Sequence, residues 1–120
     1  MASRPRPLWY PAIAVTASSR IRQEVEQIEQ QAGCDIDVTD SLPESRKSAR
    51  RRPMIIIGTD LVGRVRKPLY CGGIVVVAAL DPDDRRAIDH ATRINAPHIV
   101  ALPNGRQWLA AKLLQLMDSR

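Results

Sequence analysis

Phenylalanine is missing from this chain, and its 120 residues hold only two Trp and two Tyr. A core without large rings must be built from Ile, Val, Leu and Ala. Few aromatic faces also leave little for unpaired bases to stack on. Cysteine occurs twice, at Cys34 and Cys71, in no metal-ligand spacing. With no signal-peptide pattern at the start, these read as reduced thiols of a cytoplasmic protein. No apolar run approaches the ~18 residues that a membrane helix needs. There is no G-x-x-x-x-G-K-[ST] phosphate loop and no Ser-His-Asp set with useful spacing. His90 and His98 lie eight apart with no third ligand in view, which argues against a metal. The expectation is a non-enzymatic protein with no catalytic, cofactor-binding or metal-binding residues.

What is present is a strongly patterned α/β chain, 44% hydrophobic and long enough for one core. Residues 1–10, with Arg4-Pro5-Arg6-Pro7, read as a flexible arm, and 11–120 as the domain. The stretch Pro53 to Asp60 organises the rest. Met54 to Ile57 is apolar without alternation, as a strand covered on both faces requires, and it runs into Gly58-Thr59-Asp60. Gly73 to Ala79 is a second such strand. Shorter strands are expected at 11–16, 34–38 and 98–102. Between them Ile21, Val25, Ile28 and Ala32 recur at helical spacing, begun by Ser18 or Ser19 and closed by Gly33 in a left-handed turn.

The segment from Asp40 to Arg52 predicts a weak helix, or partly a loop, and 60–66 a short one. Asp81-Pro82 predicts a helix start with Asp81 as cap, running to about Ile94. Asn104 predicts the cap of a last helix whose apolar face is Trp108, Leu109, Leu113, Leu116 and Met117. Five alternations predict a five-stranded parallel sheet, flavodoxin- or receiver-like, of order 2-1-3-4-5 with helices on both faces.

Charge is uneven. The net charge is +5, yet Arg46, Lys47, Arg50, Arg51, Arg52, Arg64, Arg66 and Lys67 stand against Asp60 alone. That segment carries +7 and the rest −2. The expected topology puts the second and third helices on one face, which would gather this charge. It reads either as a solvated surface or as a docking face for an acidic protein, an anionic membrane surface or, less well, nucleic acid.

The layout resembles the response-regulator receiver. That resemblance implies an acidic pair after strand one, a phospho-accepting Asp ending strand three, a hydroxyl after strand four, and a Lys before Pro after strand five. Here Thr16, Ala17 and Ser18 stand at the first place and Gly58 at the acceptor. Ala78 or Ala79 takes the hydroxyl's position, and Leu102 the Lys's, before Pro103. The site therefore reads as degenerate. Asp60 is the one carboxylate nearby. Its plain reading is a cap for the following helix, with Thr59 the alternative cap; its sharper reading is a displaced phosphoacceptor.

The ending N-A-P-H-I-V-A-L-P-N-G-R-Q-W-L-A-A-K-L, Asn95 to Leu113, resembles a narrower family. So do Ile55-Ile56-Ile57-Gly58 and Asp81-Pro82-Asp83-Asp84. The likeness is to the N-terminal domain of actinobacterial CpaE-like, septum-site-determining proteins. That resemblance implies a degenerate receiver preceding a MinD/ParA-type ATPase, in cell division or Tad-type pilus positioning. The partner would be the protein's own C-terminal ATPase domain. The alternatives are a phosphorylatable receiver switch and a nucleic-acid-binding module using the basic face.

Overall fold

The computed structural model describes residues 11–118 apart from 51, 82 and 95, so the expected arm at 1–10 and Arg51 lie outside the described residues. Five strands alternate with five helices. They are β1 (Ala12–Val15), α1 (Ser19–Ala32), β2 (Ile36–Thr39), α2 (Leu42–Ala49), β3 (Met54–Gly58), α3 (Thr59–Val62), β4 (Ile74–Ala79), α4 (Arg85–Arg93), β5 (His98–Ala101) and α5 (Arg106–Asp118). All strand pairs are parallel and the order is β2-β1-β3-β4-β5, as the alternation predicts.

The two continuous apolar runs, β3 and β4, hold interior places in the sheet because each buries both of its faces. Ala12, Ala14, Met54, Ile56, Val76 and Ala78 face one layer, with Ile21, Val25 and Ile28 of α1 and Leu109 and Leu113 of α5. Ile13, Val15, Ile55, Ile57, Val75 and Val77 face the other. There they meet Ala49 of α2, Leu61 and Val62 of α3, and Ala87 and Ala91 of α4. The helices α2 and α3 that carry the basic segment thus lie on the α2–α3–α4 side.

Local chemistry explains the helix ends. Ser18 accepts from the Ile21 amide, and Gly33 closes α1 at φ 67° with its N–H on the Glu29 carbonyl. Ser41 accepts from the Glu44 amide and starts α2 as a real helix, which buries Ser45 as well as Ala49. Three expectations change. The α4 cap is Asp84, which accepts from the Arg86 and Ala87 amides; Asp81 instead folds a local turn by accepting from the Asp83 amide. Helix α5 starts at Arg106, and the Gly105 carbonyl, not Asn104, accepts the Leu109 amide. Trp108 leaves the expected apolar face. It is 40% exposed and lies beside His98, with ring centroids 5.1 Å apart.

Candidate functional site

The carboxyl ends of β1 and β3 meet through one carboxylate. Val15 stands level with Ile57 across the pair, so Thr16 and Gly58 are the next residues on each strand. Thr16 is almost fully buried. Its Oγ1 donates to Asp60 Oδ1 at 2.8 Å, and the Ala17 amide donates to Asp60 Oδ2 at 2.7 Å. The same hydroxyl accepts from the Ser18 amide at 3.0 Å. Asp60 therefore ties the β1–α1 loop to the start of α3.

This corrects the expected capping role. Gly58 occupies the N-cap position of α3 with no side-chain capping bond, and neither Thr59 nor Asp60 fills it. Asp60 lies in the first turn, where a negative charge suits the helix N-terminus. Gly58 is also where the carboxylate matters sterically. A Cβ there would collide with Asp60 Oδ1 and approach Ile21 Cδ1 at 2.9 Å and Thr16 Oγ1 at 3.0 Å. The space that a side chain at position 58 would need is filled by Asp60, reaching back from two residues on.

Where the receiver resemblance would put a hydroxyl and a Lys, the side chains are hydrocarbon. Ala78, Ala79 and Leu102 are buried, and Leu102 belongs to the core layer that holds Leu109 and Leu113. The Leu102–Pro103 peptide is cis. Beside Asp60 a cleft of ≈ 400 Å³ is lined by Ser18, Thr59, Asp84, Arg86 and His90. Asp84 is engaged as the α4 cap. His90, expected on a helix surface, is half-buried, and its Nδ1 is buried without a partner among the described residues. Among the described residues no three His, Cys, Asp or Glu side chains converge to hold a metal ion.

The basic residues divide into two kinds. Arg46 spans from α2 to the segment after α3, donating to the Lys67 carbonyl at 2.9 Å and the Pro68 carbonyl at 3.1 Å. Arg52 donates to the Ser48 carbonyl at 3.2 Å and lies 3.6 Å from Asp37. These two are committed to the fold. Lys47, Arg50, Arg64, Arg66 and Lys67 are exposed and form no ion pair among the described residues. Both thiols are free and half-buried, and burial pushes both up. For Cys34 the rise reaches about 11, with the Glu29 and Asp35 carboxylates adding to burial.

What the sequence reading missed is pairing over distance. Thr16 and Asp60 are 44 apart in the chain. The available signal was a hydroxyl where a receiver has an acid, together with an acid displaced to Asp60.

A family profile described as the Rv3660c-like, CheY-like N-terminal domain matches residues 15–120. The chain belongs to the Rv3660c-like N-terminal domain family. Solved structures support the fold of this Rv3660c-like domain. A signal receiver domain of an HD-domain-containing protein from Pseudomonas fluorescens Pf-5 is 18% identical, with TM-score 0.64, over 99% of this chain and 93% of that one. The orphan response regulator HP1043 of H. pylori is 19% identical, with TM-score 0.58, over 94% and 99%. A response regulator receiver protein from Burkholderia phymatum is 13% identical, with TM-score 0.57, over 89% and 94%. No curated protein matches the chain. No helix among the described residues is long and apolar enough to cross a membrane.

Proposed function

We propose that this Rv3660c-like domain is a non-catalytic, degenerate receiver that docks or localises a partner protein, in the manner expected of a CpaE-like septum-site-determining protein. The partner on this reading is a MinD/ParA-type ATPase domain, in cell division or in positioning a Tad-type pilus. One observation carries the non-catalytic part: Asp60 fills the acceptor's space while bonded to Thr16 and Ala17. Phosphoryl transfer to a receiver carboxylate needs cationic neutralisation of the phosphoryl oxygens. The Lys position is occupied by Leu102, buried in the core. The five uncommitted cations support the docking part, since a surface of one sign steers and holds a partner of the other.

The test is calorimetric titration of the domain with the ATPase domain of a CpaE-like protein. Binding is expected that fades with added salt and weakens in Lys47→Glu, Arg50→Glu and Arg66→Glu. No binding, or binding indifferent to all three, overturns the docking reading. Phosphorylation of wild type by acetyl phosphate with Mg²⁺ overturns the non-catalytic part and favours a phosphorylatable switch.

A further inference from the structure

Away from the strand ends that hold Asp60, the segment after α3 is fixed from both sides. Arg46 of α2 holds the carbonyls of Lys67 and Pro68, and the Leu69 amide donates to the Ile94 carbonyl just past α4 at 3.1 Å. The segment therefore joins α2 to the carboxyl end of α4 as one continuous surface. Next to it, where β4 and β5 begin, is a cleft of ≈ 400 Å³ whose lining includes Leu69, Tyr70, Val75, Ala91, Thr92 and Pro97. Tyr70 on its rim is 68% exposed, the most exposed of the large hydrophobic side chains described. Arg66 and Lys67 lead into this rim, and Arg93 precedes the residue that Leu69 bonds. All three cations are exposed, and none has an ion-pair partner among the described residues.

We infer that this cleft takes an aliphatic or aromatic anchor side chain from an acidic segment of a partner protein, with Tyr70 closing over the anchor and Arg66, Lys67 and Arg93 meeting the flanking carboxylates. The inference rests on the docking reading and gives it a site and a partner chemistry. Concavity decides among the polyanions. A bilayer is read by apolar groups that protrude into it, and a phosphate row has no convex apolar group to place among Leu69, Val75 and Ala91. A polypeptide supplies both a convex apolar side chain and negative charge on either side of it. Exposed Tyr beside Arg and a cleft of mixed polarity is also a composition in which interface energy concentrates.

The experiment uses a fluorescein-labelled peptide, Glu-Asp-Glu-Leu-Trp-Glu-Asp-Glu, and a control with Ser-Ser at its centre. Polarisation is read at low salt against the domain. The anchored peptide is expected to bind about tenfold more tightly than the control, and Tyr70→Ala or Thr92→Trp to remove that advantage. Both positions are exposed, so both variants keep the fold, which circular dichroism checks. Amide shifts are expected at Leu69, Cys71, Thr92 and Ala96. Equal binding of both peptides, insensitive to Tyr70→Ala but weakened by Arg50→Glu, sinks the anchor site and leaves docking by charge standing. No peptide binding overturns the site. So does tighter binding of a DNA oligonucleotide or of phosphatidylglycerol vesicles, which would also remove the acidic-protein reading of the face.

Discussion

The Asp60 carboxylate lies where a side chain on Gly58 would begin. The two residues are therefore mutually dependent: the glycine leaves room, and the acid uses it to reach β1. A carboxylate at position 58 and the present placement of Asp60 exclude each other.

Asp60→Ala removes the acceptor of both the Thr16 hydroxyl and the Ala17 amide. Thr16 is buried but Asp60 is exposed, so water entering where the carboxylate was offsets part of the lost bonding. A loss of about 1–3 kcal/mol is expected in urea unfolding. Asp60→Asn keeps one carbonyl acceptor and should lose less. Equal stability of wild type and Asp60→Ala would show that the tie contributes nothing.

Gly58→Ala should also destabilise, for a steric reason. The backbone there is ordinary extended chain at φ −73°, so no dihedral strain is involved. The added methyl displaces Asp60, Ile21 or Thr16, an overpacking cost of about 1–3 kcal/mol. Gly58→Asp is not expected to gain a response to beryllofluoride and Mg²⁺ in amide shifts. A response of wild type that Asp60→Asn abolishes would make Asp60 a displaced acceptor after all.

Arg46 and Arg64 offer a contrast within the basic segment. Arg46→Ala leaves the Lys67 and Pro68 carbonyls without their donor, and a loss of about 1–2 kcal/mol is expected. Arg64→Ala is expected to fall within about 0.5 kcal/mol of wild type, as at exposed unpaired positions generally. Paired urea melts decide this. Similar effects for the two would mean that the cluster is uniformly solvated.

Cys34 predicts a pH effect. Burial, with Glu29 and Asp35 behind it, raises its thiol from 9.0 to about 11 in the folded protein. The folded state then holds the proton more tightly than the unfolded state does. The associated stability is complete below pH 9.0 and is lost as pH rises towards about 11. Alkylation by iodoacetamide at mildly alkaline pH should be slow at Cys34 in folded protein and fast in urea. Equal rates in both states would refute the shift.

The sheet was readable because β3 and β4 are apolar at every position, and only doubly covered strands tolerate that. Gly33 was readable, and Ser18 down to a choice with Ser19, because capping is local. The start of α4 was not. Asp81 and Asp84 can each cap a helix, and the choice falls to the register that buries Ala87 and Ala91 under the sheet. Trp108 was misplaced because its ring finds His98 on the neighbouring strand, a contact that helical spacing does not contain. At the site, the assignment of Gly58 and Leu102 to the acceptor and Lys places of a receiver rests on position alone. The partner of Asp60 could not be identified, since nothing local joins it to Thr16. Nor could composition separate Arg46 and Arg52, bonded into the fold, from the five cations left outward.

Glu24 and Arg106 join α1 to α5 by paired bonds of 2.8 and 3.1 Å across 82 positions. Under them, Ile21, Val25 and Ile28 share a core with Leu109 and Leu113. During synthesis the first helix therefore waits for the last. Until Arg106 and the residues after it leave the ribosome, the α1 stripe is covered by the sheet alone, without Leu109 and Leu113. The last described residue of the opposite core layer is Ala96. The two sides of one sheet thus mature at different moments, and a premature stop between 96 and 106 would release a half-covered, sticky fragment rather than a smaller domain.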